Sequence, residues 1–281
     1  MRTLPTFFPF YSDIEQQEHR RENAKTVCGR PAITYPDRLL PFQFIKETGS
    51  PIAELKLHKA NNKTNYIDLY NPTVLGLIKC AATENGYYVY YNGDPLVFRD
   101  YASNILPLNM GIADYYLYIK FADGQEVYSE VFRVYPAHQK LLKITVWNDT
   151  DIFPLKYTDI EFKQFVYLDT YLHRSESEIV EETERDGNGE AIPTFQKIIV
   201  DNIAEVLAQD GFKNALVAIQ MYDHVEVKDG DFPPFEAQMV ETSVTPDDTG
   251  ALSVVEMRFQ RLIMTKTACE KNIETDSVNV W

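Results

Sequence analysis

Asp114-Tyr115-Tyr116-Leu117-Tyr118-Ile119-Lys120-Phe121-Ala122-Asp123-Gly124-Gln125-Glu126-Val127-Tyr128-Ser129 is the stretch that decides the fold class. Tyr115, Leu117, Ile119 and Phe121 fall on one side of an extended chain, and Asp114, Tyr116, Tyr118 and Lys120 fall on the other. That period of two is the mark of a half-buried strand. Asp123-Gly124 supplies two residues at ease with positive φ, and a second strand-like run continues from Glu126 to Val134. The pattern predicts an antiparallel hairpin.

The same punctuation recurs upstream. Asn85-Gly86 separates Leu77–Glu84 from Tyr87–Tyr91, and Asn92-Gly93 separates that run from Leu96–Phe98. With Phe42–Glu47, Ile52–His58 and Tyr66–Leu69, about seven strands fall within roughly a hundred residues, which predicts an immunoglobulin- or fibronectin-like β-sandwich over residues 39–135. Residues 1–38 read as an extended N-terminal arm, in which Pro5 and Pro9 punctuate Phe7, Phe8, Phe10 and Tyr11. The polar run that follows, Asp13–Lys25, has Ile14 as its one sizeable apolar residue and therefore no stripe to dock.

Pro136 marks the start of a second β-rich domain, residues 136–281. Its strands are predicted at Leu141–Trp147, Phe162–Leu168, Val225–Lys228, Phe235–Ser243 and Leu252–Ile263. A hairpin around Asp186-Gly187-Asn188-Gly189 joins Glu178–Glu184 to Thr194–Val200. One helical segment is predicted near residues 202–222. Asn202 and Glu205 resemble a capping box, Ile203, Val206 and Leu207 share a face, and Phe212, Leu216 and Ile219 repeat at helical spacing. The fold class is therefore mainly β, a sandwich followed by a second β-rich domain.

Composition narrows the function. The 281 residues carry 27 Lys+Arg against 42 Asp+Glu, so the net charge is 27 − 42 = −15. Such a surface repels phosphate backbones and argues against nucleic acid as a partner. No apolar run approaches the ~20 residues that cross a bilayer, and the proline-broken start lacks a secretory apolar region. Neither membrane insertion nor a lipid-anchored surface protein is expected. Cys28, Cys80 and Cys269 are odd in number and far apart, as isolated thiols in a reducing compartment would be.

The usual catalytic and phosphate-binding motifs are absent. His19, His58, His138, His173 and His224 show no metal-ligand spacing. Asp186, Asn188 and Glu190 mimic the start of a calcium loop, but Ala191 and Lys197 occupy the positions that need glycine and a terminal acid. The run Glu176, Glu178, Glu181, Glu182, Glu184 reads as the charged edge of a strand. No catalytic residue, metal or cofactor is predicted. The one enzymatic alternative is a glycosidase-type carboxylate pair among Asp159, Glu161 and Asp169, which would have to stand ~5–5.5 Å apart for retention or ~6.5–9.5 Å apart for inversion.

The distribution of 18 tyrosines and 16 phenylalanines points elsewhere. Tyr88 and Tyr90 lie opposite Tyr87, Val89 and Tyr91, while Tyr116 and Tyr118 lie opposite the core-like face of their strand. Rings on both faces need cover on both, from a partner or from the arm or second domain of the same chain. Partner cover makes Tyr88, Tyr90, Tyr116 and Tyr118, with Phe7, Phe8 and Phe10 of the arm, the predicted protein-interface residues.

Several strings carry a resemblance: Leu142-Lys143-Ile144-Thr145-Val146-Trp147-Asn148-Asp149-Thr150-Asp151, Phe162-Lys163-Gln164-Phe165-Val166-Tyr167-Leu168-Asp169, the stretch Glu181–Phe195, Met264–Ile273, and Tyr128-Ser129-Glu130-Val131-Phe132. Over roughly residues 110–275 the chain resembles structural proteins of tailed bacteriophages of Bacteroidetes, encoded among tail and baseplate genes. The resemblance implies a non-enzymatic virion subunit of distal-tail, baseplate or adaptor type. It would be assembled in the host cytoplasm and located in the virion tail. Its partners would be copies of itself in a ring-like homo-oligomer and other virion proteins. The rival is a module that binds host-surface glycan on exposed tyrosines. A concave groove would mark that rival, and a broad flat face would mark an assembly subunit.

Overall fold

The structure, a computed structural model, describes residues 6–12, 32–83, 86–99, 105–152, 155–185, 191–208, 210–237, 239–246 and 252–267. The fold is mainly β. Its first half grows from the predicted hairpin: Asp114–Phe121 pairs with Glu126–Ser129 through Tyr118↔Tyr128, and Gly124 takes a φ of 88° in the turn. On its other side Asp114–Phe121 pairs along its length with Ile52–Lys59, which in turn pairs with Asn62–Asp68. A three-stranded sheet in the order Phe42–Lys46, Gly86–Tyr91, Lys79–Thr83 faces this layer. Leu55, Leu57, Leu117, Ile119 and Phe121 pack against Phe42, Phe44, Val89 and Tyr91 to form the first core of a two-layer sandwich. Burying each such side chain contributes roughly 1.5–3 kcal/mol before entropy is counted.

Two turn signals behave differently from each other. The hairpin expected at Asn85-Gly86 forms, with Thr83 paired to Gly86 at the start of the second strand, while Asn85 lies outside the described residues. Asn92-Gly93 does not make one: Val97–Arg99 pairs instead with Ile105–Pro107. Gly93 has a φ of 81°, and a Cβ there would lie 2.4 Å from the Phe165 ring. Close approach of that ring, rather than a hairpin, is what demands glycine at this position.

The arm is built into the sheet. Phe10–Tyr11 forms an edge strand against Tyr128–Ser129. Ala32–Thr34 lies parallel to Phe132–Val134 on one side and meets Gln164–Leu168 on the other through Tyr167↔Ile33. One eleven-stranded sheet therefore runs past Pro136 without a break. The first core draws on both sides of that position, taking Leu141, Phe165 and Tyr167 from beyond it. The polar stretch expected at residues 13–25 lies outside the described residues.

Beyond the seam the sheet continues through Gln164–Leu168, Leu142–Trp147, His224–Asp229 and Phe235–Glu236. A second, four-stranded sheet faces it, in the order His173–Arg185, Ala191–Ala208, Ser253–Thr267, Met239–Pro246. Leu142, Ile144, Val146, Val166 and Val227 pack there against Ala204, Val206, Val255, Met257 and Phe259, forming the second core. The expected helix near 202–222 needs correction. Residues 202–208 finish the Ala191–Ala208 strand, with Ala204, Val206 and Ala208 buried at alternate positions. The helix is Asp210–Val217, continued by a 3₁₀ turn over Ala218–Met221. Leu216 and Ile219 close the second core, as their spacing predicted.

The second sheet is much longer than the layer it covers. Ala191–Ala208 has 18 residues, a span of about 60 Å. The facing strands Leu142–Trp147 and Gln164–Leu168 have 6 and 5, a span of about 20 Å. His173–Arg185, Ala191–Ala208 and Ser253–Thr267 must therefore overhang the second core as a ribbon. A bulge stands where Glu182↔Phe195 is followed by Thr183↔Pro193, a position at which a strand interior tolerates proline.

Candidate interaction surfaces

Phe7, Phe8, Phe10, Tyr88, Tyr90 and Tyr116 each retain 7% or less of their surface. The expectation that these residues face a partner is corrected, because the chain covers them itself. Phe8 meets Phe132 edge-on at 5.5 Å, and Phe10 lies 4.7 Å from Phe42 and 4.9 Å from Phe44. Phe7 belongs to the second core. The arm therefore joins the two cores.

Tyr88 and Tyr90 lie on the face of the three-stranded sheet turned away from the first core. The loop from Asp151 to Phe162 covers that face. Tyr90 packs with Leu155, Tyr157 and Phe162. Gln43, the cross-strand partner of Tyr90, donates from Nε2 to the Lys156 carbonyl at 3.0 Å and accepts from the Lys156 amide at 2.6 Å. Asp151 holds the loop in shape by accepting from the Tyr157 and Thr158 amides at 2.7 and 2.8 Å. A loop more than sixty residues downstream of these tyrosines gives no local signal of its role.

The outer face of the hairpin sheet carries a further aromatic cluster. Cross-strand register sets Tyr66, His58 and Tyr116 in one row, and Lys56, Tyr118 and Tyr128 in the next. His58 stacks on Tyr116 at 5.2 Å and 9°, and Tyr118 lies 5.2 Å from Tyr128. Tyr118 is half-buried, and Tyr66 is the exposed ring of the group. Tyr128 donates its hydroxyl to Glu126 at 2.8 Å. That bond, with Lys120, holds the Glu126 carboxyl below the usual range, while burial and then Glu126 push the Tyr118 and Tyr128 phenols up. Charged groups are set between the rings, with Lys56 lying 5.1 Å from the centre of the Tyr66 ring. Sequence periodicity located Tyr116 and Tyr118, but not the cross-strand contribution of His58 and Tyr66.

Of the carboxylates considered for a glycosidase, Asp159 and Asp169 have polar partners within the chain. Asp159 and Glu161 take left-handed φ values of 64° and 49° in the turn before Phe162, and Asp159 pairs with Lys156. Asp169 accepts from Tyr135 at 3.0 Å and from Gln139 at 3.2 Å. Among the described residues no group of three or more His, Cys, Asp or Glu could hold a metal ion, and no helix is long and apolar enough to cross a membrane. Cys80 is free, whereas Cys28 and Cys269 lie outside the described residues, as do Asp186, Asn188 and Glu190.

The ribbon is a second surface of a different kind. Main-chain groups on the outer side of His173–Arg185 have no paired strand among the described residues. Met239–Pro246 accompanies Ser253–Thr267 only as far as Gln260, leaving Arg261–Thr267 open on that side among the described residues. Free strand edges are templates for another strand. No protein-family model matches the chain, and no curated protein matches it.

Proposed function

We propose that this chain is a non-enzymatic structural subunit that acts by protein–protein assembly, in a bacteriophage tail or baseplate as the sequence resemblance implies. The observation that carries this proposal is the overhanging ribbon. A strand of 18 residues exceeds what its own core can use, and natural proteins keep long open edges short or covered unless something docks there. The buried tyrosines and phenylalanines lend the proposal no support, since their cover comes from within the chain. Mass spectrometry of purified virions encoded by the genome that carries this gene tests the role. The chain should appear at a fixed copy number with cross-links to itself, and its absence from particles would refute the proposal.

A glycan-binding module is the second reading, favoured by the exposed Tyr66 ring beside His58 and Lys56. Tyr66→Ala abolishing retention on a glycan array, with particle incorporation intact, would move the function to that face.

A further inference from the structure

We infer that copies of this chain join side by side through the two free edges of the ribbon, the Arg261–Thr267 edge of one copy lying parallel to the His173–Arg185 edge of the next. The inference rests on the assembly role proposed above and names its partner, a second copy of this chain.

Direction and charge decide which edges meet. His173–Arg185 and Ser253–Thr267 are both antiparallel to the strand between them, so they run parallel to each other. Their edges carry opposite charge. His173–Arg185 contains Glu176, Glu178, Glu181, Glu182 and Glu184, with arginines only near its ends at Arg174 and Arg185. Arg261–Thr267 contains Arg261 and Lys266 and no acid.

A two-fold contact between two acidic edges would set glutamates against glutamates, which is the arrangement that discourages stray pairing. A contact between two basic edges meets the same objection. Acidic edge against basic edge removes it, and this pairing is heterologous, so it closes into a ring or runs on as a filament. The internal register adds a specific match. Glu181 pairs with Gln196, and Gln196 pairs with Lys266, so Glu181 and Lys266 occupy one row across the ribbon. Copies set side by side at equal height bring Lys266 of one beside Glu181 of the next.

The test uses the full chain, sedimentation velocity over about 1–100 µM, and the variants Glu181→Lys and Lys266→Glu. Each variant alone places like charges at the contact and should weaken association by about tenfold or more. Mixed at equal amounts, the two variants should associate again, because each now presents to the other the charge that it lacks in itself. A role confined to one chain cannot produce that rescue. Circular dichroism monitors the fold. If a reversal unfolds the chain, Glu181→Gln and Lys266→Gln should each weaken association and reduce its sensitivity to salt. Variants that associate as tightly as the parent overturn the inference and leave assembly to another surface. A parent chain that is monomeric in solution yet present in particles also overturns it. A chain absent from particles overturns the assembly role itself.

Discussion

Lys46 shows what a single residue contributes and why the sequence hides it. At the end of Phe42–Lys46 it shares a face with Phe42 and Phe44, its side chain is 1% exposed, and its partner Asp123 lies 77 residues downstream. The ammonium pairs with Asp123, bonds Thr48 and sits 4.7 Å from the centre of the Phe121 ring. Removing one partner of a buried pair leaves an uncompensated charge, whereas an apolar replacement is tolerated. Asp123→Ala should therefore lower the denaturation midpoint more than Lys46→Met, and the double variant should recover part of the loss. The Lys46 contact, followed by others, holds the Asp123 carboxyl well below its ordinary range. Its contribution is complete above about pH 4 and is lost as pH falls through the depressed folded value. His224 has the opposite sign. Nδ1 lies 2.7 Å from Glu236 and Nε2 3.0 Å from Asp149, and Glu236 first, then Asp149, raises the imidazole above its usual value. The resulting stability is present below about pH 6.5 and is lost as pH rises through the folded value. Chemical denaturation between pH 5.5 and 8.5 should show that loss in the parent and not in His224→Gln. The sequence shows a lone histidine, because Asp149 lies 75 residues away.

Elements were legible in proportion to their length and periodicity. Asp114–Phe121 and Ile52–Lys59 alternate over eight residues each and stand where their pattern put them. Phe10–Tyr11 and Ala32–Thr34 have two and three residues, too few for a period, and their partners lie about a hundred residues downstream. Residues 202–208 read as a helix because Asn202 and Glu205 mimic a cap. The alternation of Ala204, Val206 and Ala208 against the second core prevailed, a case of packing overriding local propensity. The ribbon's hairpin was visible in its turn residues, but its excess length appears only beside the facing strands. For the arm, Phe8 is 1% exposed and touches both Phe42 and Phe132. Phe8→Ala should cost about 3–5 kcal/mol by equilibrium denaturation. Tyr66→Ala on the exposed face should stay within about 0.5 kcal/mol.

At the scale of the whole molecule, two cores share one sheet, and Ala32–Thr34 is the strand at their seam. Continuous pairing should make the chain unfold in a single calorimetric transition. Ile33→Pro removes a donor between Phe132–Val134 and Gln164–Leu168. It should split that transition in two, and an unchanged single transition would show that the cores are coupled elsewhere. The arm packs Phe8 and Phe10 into the first core and the 151–162 loop packs on Tyr90, so the proposed joining of copies falls to the main-chain edges of the ribbon. Amide hydrogen exchange, compared between dilute monomer and concentrated or particle-bound protein, tests this claim most directly. Exchange should slow over 173–185 and 261–267 on association while Asp114–Phe121 stays unchanged. Unaltered exchange along both ribbon edges, with new protection over the Tyr66–His58–Tyr116 face, would contradict it.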